Sequence, residues 1–304
     1  MTNQTGDPES MPWHIDTIRD AAGECDIRYG HVPKSLLPVR KFVAFANGRT
    51  EWIEKYDYLP RDLALPEEFG FVTWDHRGQG ASGGARAYVD SYDVYGSDAA
   101  RVTGHVCADK PFALMAHSMG GLIALHAVLK GQIKPKALVL CSPLFGMPNV
   151  PVPRLLAKPS SRLLTHLKLG TLGSGAGNHT KRPFAFNNLT HDVARYRRMQ
   201  HSPHPVGSAT FGWVNQTFAA IDAVFSPANL RELTVPVLVI GGSSESVVDG
   251  DGFQRWTQLA AEHAKADIEL VLVQGARHEL LSEIPKYYEK TLAAARRWIT
   301  KHVV

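Results

Sequence analysis

The chain of 304 residues lacks any apolar run that approaches the roughly 18 residues of a membrane-spanning helix. Cysteine is scarce: Cys25, Cys107 and Cys141 are odd in number, far apart and without a CxxC pair. They predict buried thiols in a reducing compartment rather than a disulfide framework. The first residues, MTNQTGDPESMPW, lack the basic start and the apolar run of a signal peptide. Together these absences lead us to expect a soluble cytoplasmic protein.

An excess of one charge is also missing from the chain as a whole, because its formal net charge is only +4. Apolar residues make up 44% and charged residues 20% of the sequence, which is ordinary usage for a globular protein. This composition excludes a disordered chain, a collagen-like repeat and a coiled coil. The length allows one large α/β domain with an inserted segment.

Six short apolar runs predict strands that are buried on both faces, as in a parallel sheet. They are 42–46, 71–75, 112–116, 137–141, 237–240 and 268–273. Helical patterns alternate with these runs, near 50–66, 90–106, 119–130, 251–265 and 284–302. The alternation predicts a mostly parallel, doubly wound α/β sheet, with a ligand site at the carboxyl ends of its strands.

One long segment, 144–232, interrupts this alternation. It begins near four prolines and contains a helical stretch at 189–200 and an apolar, aromatic stretch at 211–225. We predict that it is a mainly helical cap segment inserted into a core formed by 1–143 and 233–304. The cap segment carries ten Lys and Arg against three Asp and Glu. Such an excess of positive charge indicates a surface role of its own. The prolines are Pro143, Pro148, Pro151 and Pro153.

The segment 116–121, Ala-His-Ser-Met-Gly-Gly, follows a predicted strand and precedes a helical pattern. Its serine, Ser118, would lie on a sharp strand-to-helix turn, where small residues are needed two positions before and after it. Such a turn strains the serine and exposes its hydroxyl group. Ala116 stands where glycine is usual. The pattern predicts a nucleophile, and the alternative is an ordinary glycine-rich helix start.

A serine hydroxyl becomes a good nucleophile only when a base takes its proton. His278 follows the last predicted strand, where a loop can bring it over the sheet edge, whereas His117 would point away from Ser118. The base needs a carboxylate that orients its ring and offsets its charge. Glu245 is the preferred acid because it is nearer the preceding strand end. Asp249 is the alternative acid, and its other role would be to cap the following helix.

The oxyanion that forms during acyl transfer requires two N–H groups aimed at it. The backbone amide of Met119, directly after Ser118, is the expected first donor. The amide of Arg49 is the expected second donor, in the loop 47–49 that follows the first predicted strand; we call this loop the oxyanion loop. The alternative for its Asn47-Gly48 pair is a plain turn.

The segment 75–82, DHRGQGAS, lacks the Lys-Ser/Thr pair of a phosphate-binding loop. We predict a structural loop that braces the turn 116–121. His278 and Glu279 do not continue into HExxH, so no metal site is expected, and the proposed chemistry needs no cofactor. Nucleic acid is not an expected partner, because the basic residues belong to no recognised binding module.

These motifs, together with Glu245-Ser-Val-Val-Asp249 and the sequence RHELL at 277–281, resemble the α/β-hydrolase superfamily. More narrowly, they are similar to its lysophospholipase L2 and monoacylglycerol lipase branch, which is grouped with the serine aminopeptidase S33-like hydrolases. The resemblance covers most of the chain from about residue 40 onward. It implies an α/β-hydrolase fold, Ser118 as nucleophile, and His278 and Glu245 as the other triad members. It also implies that Arg49 and Met119 are the oxyanion donors.

The resemblance further implies a lysophospholipase that acts through an acyl-enzyme. Alternatives on the same triad are a monoacylglycerol lipase or a general carboxylesterase, thioesterase or aminopeptidase-like hydrolase. An alternative of another class is a non-catalytic ligand-binding homologue. Aromatic residues of the cap segment would line an acyl tunnel or form the core of the cap itself. They are Phe184, Phe186, Phe211, Trp213, Phe218 and Phe225, of which Phe211, Trp213 and Phe218 are the expected substrate contacts.

The basic residues of the cap segment could meet anionic lipid head groups, and each such contact is worth roughly 1 kcal/mol. The alternative is a solvated helix face. We therefore expect a lipid-like ester as substrate, and peripheral contact with an anionic membrane surface through the cap segment.

Overall fold

The structure is a computed structural model that describes residues 13–32, 38–147, 154–175 and 179–304. Two sequence predictions depend on residues outside the described ones. The lack of a signal peptide is inferred from residues that include 1–12, and the start of the cap segment from prolines that include Pro148, Pro151 and Pro153.

The described residues form strands and helices with the following bounds. The strands are β1 His14–Arg19, β2 Asp26–Val32, β3 Lys41–Ala46, β4 Phe69–Trp74, β5 Phe112–His117, β6 Ala137–Cys141, β7 Val237–Gly242 and β8 Ile268–Val273. The helices are α1 Leu59–Asp62, α2 Tyr92–Cys107, α3 Met119–Leu129, α4 Arg154–His166, α5 Val193–Gln200, α6 Phe211–Val224, α7 Pro227–Leu230, α8 Asp251–His263 and α9 Pro285–His302. Short 3-10 turns lie at Ile53–Tyr56, His179–Lys181, Phe184–Phe186 and Leu280–Ser282.

All eight strands join one sheet in the order β1-β2-β4-β3-β5-β6-β7-β8. From β4 to β8 neighbouring strands are parallel, whereas β1 and β2 are antiparallel additions at one edge. The prediction of a mostly parallel, doubly wound α/β sheet is therefore confirmed. The parallel strands all carry their carboxyl ends to the same edge, so loops from distant parts of the sequence meet there.

Alternate residues of each central strand pack on opposite faces of the sheet. On β3, Ala44 and Ala46 belong to a cluster with buried residues of α2, α3 and α8, and Val43 and Phe45 belong to a second cluster with α9. Both faces are thus covered by helices. This is why the central strands read as continuous apolar runs rather than as an alternation of apolar and polar residues.

The edge strands β1 and β2 were not predicted from the sequence. All residues of β1 are at least partly exposed, and its sequence HIDTIR is mostly polar. A strand of this kind lacks the apolar run on which the prediction of the other strands depended.

The predicted helix near 50–66 is wrong, because this stretch forms two short turns, the 3-10 turn Ile53–Tyr56 and the single-turn helix α1. Pro60 lies in the first turn of α1. Proline fits the start of a helix but has no amide proton for a helix interior, so it favours a new helix over an extension of the preceding turn.

Between β6 and β7, the described part of the chain holds α4 to α7 and two 3-10 turns. Helix α6 packs into the main hydrophobic cluster through Trp213, Val214 and Val224. This segment therefore rests on the sheet's helical layer. Among the described residues, no helix combines the length and the apolar character that crossing a bilayer requires.

Candidate active site

Ser118 lies between β5 and α3 with φ 51° and ψ −116°, a backbone conformation that residues with a side chain rarely adopt. Its amide donates a hydrogen bond to the Cys141 carbonyl oxygen (3.0 Å). Gly120 allows the close approach of this turn to β3, because a Cβ there would lie 2.2 Å from the Ala46 carbonyl oxygen. Ala116, which replaces the usual glycine, pairs with Ala46 across the sheet, so two small residues face each other.

The structure brings Ser118, His278 and Glu245 together from three separate loops. The Ser118 Oγ and His278 Nε2 atoms are 3.0 Å apart, a distance at which the hydroxyl donates a hydrogen bond to the ring. On the other side of the ring, His278 Nδ1–H donates to Glu245 Oε2 at 2.7 Å. The arrangement gives the serine a base, and it gives the base an acid that holds its tautomer.

Glu245 is buried, and burial alone would raise the pKa of its carboxyl group. His278 and the amides of Val247 and Val248 (2.7 and 3.2 Å) outweigh burial and hold that pKa below its ordinary value. The group is therefore a carboxylate at neutral pH. Its second oxygen is oriented by the two amides, which leaves Oε2 directed at the imidazole.

Asp249, the alternative acid, makes different contacts. Its Oδ2 accepts a hydrogen bond from Arg255 at 2.7 Å, and its amide donates to the Gly146 carbonyl oxygen. Asp249 is not the N-cap residue of α8 either, because Gly250 occupies that position. The geometry thus favours Glu245 over Asp249.

The two expected oxyanion donors lie in suitable backbone settings. Met119 is the first residue of α3, so its amide has no acceptor within the helix. On either side of Arg49, the amides of Gly48 and Thr50 donate to side chains of Glu51 and Gln79. Among the described residues the Arg49 amide has no such acceptor.

The segment 75–82 contacts the oxyanion loop and α3, in agreement with a bracing role. Gln79 accepts from the Thr50 amide at 2.6 Å and donates to Met119 Sδ at 3.3 Å. His76 Nε2 lies 2.9 Å from the Asn47 carbonyl oxygen, to which it donates. These contacts hold both loops that carry the expected oxyanion donors.

Sequence reasoning missed a buried polar cluster behind His278. Lys55 Nζ lies 2.6 Å from Glu51 Oε1 and 2.7 Å from Glu279 Oε2. Glu51, His117 and Glu279 are close enough to hold a metal ion by geometry. However, the Lys55 ammonium group already lies between the two carboxylates. The available signals were the Glu-xxx-Lys spacing of Glu51 and Lys55, which is typical of an ion pair within one turn of chain, and Glu279 directly after His278.

His117 belongs to the same cluster and points away from the Ser118 hydroxyl, as expected. It donates from Nδ1 to Glu51 at 3.0 Å and from Nε2 to the His278 carbonyl oxygen at 3.3 Å. Burial alone would lower the pKa of His117, but the charges of Glu51 and Glu279 raise it above its ordinary value. A protonated ring can donate from both nitrogens. The cluster therefore ties the oxyanion loop to the loop that carries His278.

The three expected substrate contacts lie on α6. Trp213 is buried, and the Arg49 guanidinium group lies over its ring at 5.4 Å. Phe218 is half-buried against the main hydrophobic cluster, and Phe211 is half-buried at the start of the helix. Of the three, the structure places Trp213 beside the oxyanion loop.

Several basic residues of the cap segment are engaged in contacts with protein. Arg198 pairs with Asp57 at 2.6 Å, and Lys158 pairs with Asp222. The Arg195 guanidinium group lies over the ring of Tyr58 at 4.1 Å. The remaining cations of this segment that are described and exposed are Arg162, Lys168, Lys181, Arg182, Arg197 and Arg231.

Comparison with known proteins adds independent findings. A profile of the family described as "Serine aminopeptidase, S33" matches residues 38–285. Lysophospholipase L2 of Escherichia coli (strain K12) is 30% identical over 283 residues, which cover 86% of this chain and 81% of that protein. Monoglyceride lipase of Homo sapiens is 27% identical over 305 residues, which cover 97% and 93%.

Solved structures share the fold. A thermostable carboxyl esterase from Bacillus coagulans, in complex with glycerol, superposes with a TM-score of 0.78 at 16% identity, covering 96% of this chain and 99% of that one. A soluble variant of monoglyceride lipase from Saccharomyces cerevisiae superposes with a TM-score of 0.72 at 19% identity, covering 99% and 100%. At these identities the likeness concerns the fold, and it confirms the predicted α/β-hydrolase class.

Proposed function

The chain belongs to the serine aminopeptidase S33 family of α/β-hydrolases, and from this premise we propose that it is a serine hydrolase of carboxylic esters. The proposed reaction is that of a lysophospholipase, which releases a fatty acid from a lysophospholipid. The single observation that carries the proposal is the hydrogen-bonded series Ser118–His278–Glu245, with distances of 3.0 and 2.7 Å. The similarity to lysophospholipase L2 proteins supports the choice of substrate.

In the proposed mechanism His278 takes the proton of Ser118 as Oγ attacks the acyl carbonyl carbon. The Arg49 and Met119 amides donate hydrogen bonds to the oxyanion, and Glu245 offsets the charge of the imidazolium ion. His278 then gives its proton to the leaving alcohol. Water repeats these steps on the acyl-enzyme and frees the fatty acid, so the enzyme returns to its starting state.

Monoacylglycerol lipase activity is the second candidate, and the relatives named monoglyceride lipase favour it. A panel of lysophospholipids, monoacylglycerols, p-nitrophenyl esters, thioesters and aminoacyl amides would distinguish these hydrolases. If the lysophospholipase proposal is right, lysophospholipids have the highest kcat/KM of the panel.

The nucleophile is tested by Ser118→Ala. We expect this variant to keep its thermal midpoint and to lose at least about a thousandfold in kcat, because no other group can form the acyl-enzyme. Labelling by a fluorophosphonate probe should disappear as well. Ser97→Ala in α2 is the matched control and should keep both activity and labelling. Unchanged turnover in Ser118→Ala would contradict the proposal, and an unlabelled wild-type protein would indicate the non-catalytic alternative.

The identity of the acid is tested by comparing Glu245→Gln with Asp249→Asn. Glu245→Gln should lower kcat by about a thousandfold or more, because a neutral amide neither holds the His278 tautomer nor stabilises its charge. Asp249→Asn should lower kcat less than tenfold, since Asp249 pairs with Arg255 instead. Steady-state kinetics on one ester substrate, with folding checked by circular dichroism, would decide between them. The reverse order of effects would make Asp249 the acid.

We also propose that residues 144–232 act as a cap over a core formed by 1–143 and 233–304, and that this cap meets an anionic lipid surface. Leu156, Leu163, Leu167, Leu169 and Leu172 are between 40% and 58% exposed. Arg162 and Lys168 are exposed among them. Apolar side chains beside cations suit an interface between hydrocarbon and anionic head groups. Location in the cytoplasm, at the inner membrane face, stays a prediction.

A further inference from the structure

Three buried hydrogen-bond donors beside the oxyanion loop have no acceptor of normal geometry among the described residues. They are Arg49 Nε, Tyr95 Oη and Trp213 Nε1. The Arg49 guanidinium group lies over the Trp213 ring, and the Tyr95 hydroxyl interacts with Gln79 and Trp213 without a full hydrogen bond to either. Buried donors are almost always paired in native proteins, so three that converge on one place require an explanation.

The positive charge at this place is also unbalanced. Arg28 and Arg77, which lie in the same half of the core, each pair with two carboxylates. By contrast, the part of the chain that the structure describes offers Arg49 no carboxylate within ion-pair distance. Its one protein acceptor there is the Gly207 carbonyl oxygen, 2.7 Å from Nη2. Burial lowers the pKa of Arg49 to about 10, so it still carries its charge at neutral pH.

Arg49 is half-buried, and a cation that is partly removed from water without a counter-ion destabilises the free protein. An apolar side chain of similar size would avoid that cost. The presence of Arg49 is explained if an anion enters the site together with the substrate. The guanidinium group presents paired N–H donors that match the oxygens of a phosphate group. Tyr95 and Trp213 add one neutral donor each.

We propose that Arg49, Tyr95 and Trp213 form a subsite for the phosphate group of the leaving alcohol, an inference that rests on the proposed function. One residue would then contact the substrate twice, because the Arg49 amide faces the acyl carbonyl and its guanidinium group faces the phosphate. In a lysophospholipid these two groups are separated by a glycerol unit, comparable in length to an arginine side chain. A neutral monoacylglycerol offers hydroxyl acceptors but no negative charge to balance Arg49. Trp213 then contacts the polar end of the substrate and not its acyl chain.

A cavity that is lined by the chain neighbours of Arg49 and of its acceptor Gly207 offers room for the rest of a head group. Its volume is about 470 Å³, and its lining includes Thr50, which follows Arg49, and Val206, which precedes Gly207. Lys181 and His204 also line it. This lining mixes polar side chains with Met199, Pro205 and Val206, so a head group finds polar partners there.

The test is the ratio of kcat/KM for lysophosphatidylglycerol to kcat/KM for a monoacylglycerol with the same acyl chain, both in neutral detergent micelles. Arg49→Gln should lower this ratio at least tenfold relative to the wild-type enzyme. Using a ratio removes any general effect on the oxyanion loop, because such an effect lowers both terms. Arg40→Gln makes the same charge change at the exposed opposite end of β3 and should leave the ratio unchanged. An Arg49→Gln ratio equal to that of the wild-type enzyme would overturn the subsite.

Tyr95→Phe provides a second variant, which removes a buried hydroxyl group whose contacts with Gln79 and Trp213 fall short of full hydrogen bonds. It should change the thermal midpoint little, because only these weak contacts are lost, and it should lower the ratio in the same direction as Arg49→Gln. A lowered midpoint with an unchanged ratio would assign the hydroxyl a structural role and would contradict the proposal.

Inhibition separates a lipid head group from free phosphate. Glycerophosphoglycerol should inhibit competitively, with an inhibition constant that rises at least tenfold in Arg49→Gln, whereas inorganic phosphate should inhibit only weakly. Stronger inhibition by inorganic phosphate would make this a site for the free anion and overturn the head-group assignment. A failure of the proposed function would give a different result from a failure of the subsite. If hydrolysis survives Ser118→Ala, the nucleophile is refuted whatever the ratio of the two kcat/KM values is.

Discussion

His76 is a neutral, fully buried imidazole that supports the oxyanion loop. Trp74 Nε1–H donates to its Nδ1 (3.2 Å), and its Nε2 donates to the Asn47 carbonyl oxygen (2.9 Å). One nitrogen must therefore accept while the other donates, which excludes a second proton. Burial is the main cause that lowers the pKa of His76 to about 4. In the unfolded chain the same ring titrates near its ordinary value of 6.5.

This difference predicts a specific loss of stability in mild acid. Between pH 6.5 and pH 4 the unfolded state binds a proton at His76 that the folded state does not bind. The free energy of unfolding therefore falls as pH falls through this window, by about 3 kcal/mol in total. Above pH 6.5 the residue contributes no pH dependence. Urea unfolding at several pH values should show a flatter dependence for His76→Gln than for the wild-type protein. If the free energy of unfolding depends on pH in the same way in both proteins, the lowered pKa of His76 is contradicted.

At the scale of elements, the turn between β5 and α3 depends on a glycine. A Cβ at Gly120 would lie 2.2 and 2.3 Å from the carbonyl oxygens of Ala46 and Asn47. Both are backbone atoms, and Asn47 belongs to the oxyanion loop. Any side chain at this position must displace the loop or the helix, so the strand-to-helix turn and the oxyanion loop are sterically coupled.

Gly120→Ala should accordingly destabilise the protein by about 2–3 kcal/mol or more and reduce kcat. The control is Gly104→Ala in α2, where nothing lies within 4 Å of an added Cβ. This second change should stabilise the protein by about 0.5–1 kcal/mol, because alanine favours a helix interior. Thermal and urea unfolding would measure both effects. Equal effects of the two substitutions would refute the proposed coupling.

The second link between elements is the Lys55 cluster, in which one ammonium group joins Glu51 to Glu279. Lys55→Met would leave two buried carboxylates without their cation, and we expect a loss of about 3–5 kcal/mol. The double variant Lys55→Met with Glu279→Gln should recover part of that loss, since one unpaired charge is removed. A double-mutant cycle by urea unfolding checks this. Strictly additive losses would show that Lys55 and Glu279 do not interact.

At the scale of the whole molecule, the leucines of 156–172 and the cations beside them predict preferential binding to anionic membranes. Sedimentation with phosphatidylglycerol vesicles should exceed that with phosphatidylcholine vesicles, and high salt should reduce the difference. Leu163→Ser should weaken partitioning to both vesicle types by about tenfold, because apolar contact area is lost. Val304→Ser, at the exposed carboxyl terminus, is the control and should have no effect. Equal binding to both vesicle types at low salt would contradict the predicted attraction between the cations and the anionic lipids.

The central fold was predictable because its signals are local. The strands β3 to β7 are buried on both faces, so each one reads as an apolar run. The edge strand β8 is half-buried but mostly apolar in sequence, and most flanking helices show the spacing of a covered face. Residues 50–66 were predicted wrongly, and β1 and β2 were missed. The mostly polar strands β1 and β2 and the single turns depend on what they pack against, and the sequence pattern does not record that.

The sequence by itself determined the residue types and the order of the candidate site: a serine in a small-residue turn, then a carboxylate, then a histidine, each after a strand. The sequence favoured Glu245 over Asp249 because it is nearer the strand end, but only the tertiary structure brings its carboxylate to His278 and directs Asp249 to Arg255. It also decided that Lys55 lies between Glu51 and Glu279, and that Arg49 is half-buried with no counter-ion among the described residues. Distances between residues far apart in the chain depend on packing, whereas propensity and spacing describe only neighbours.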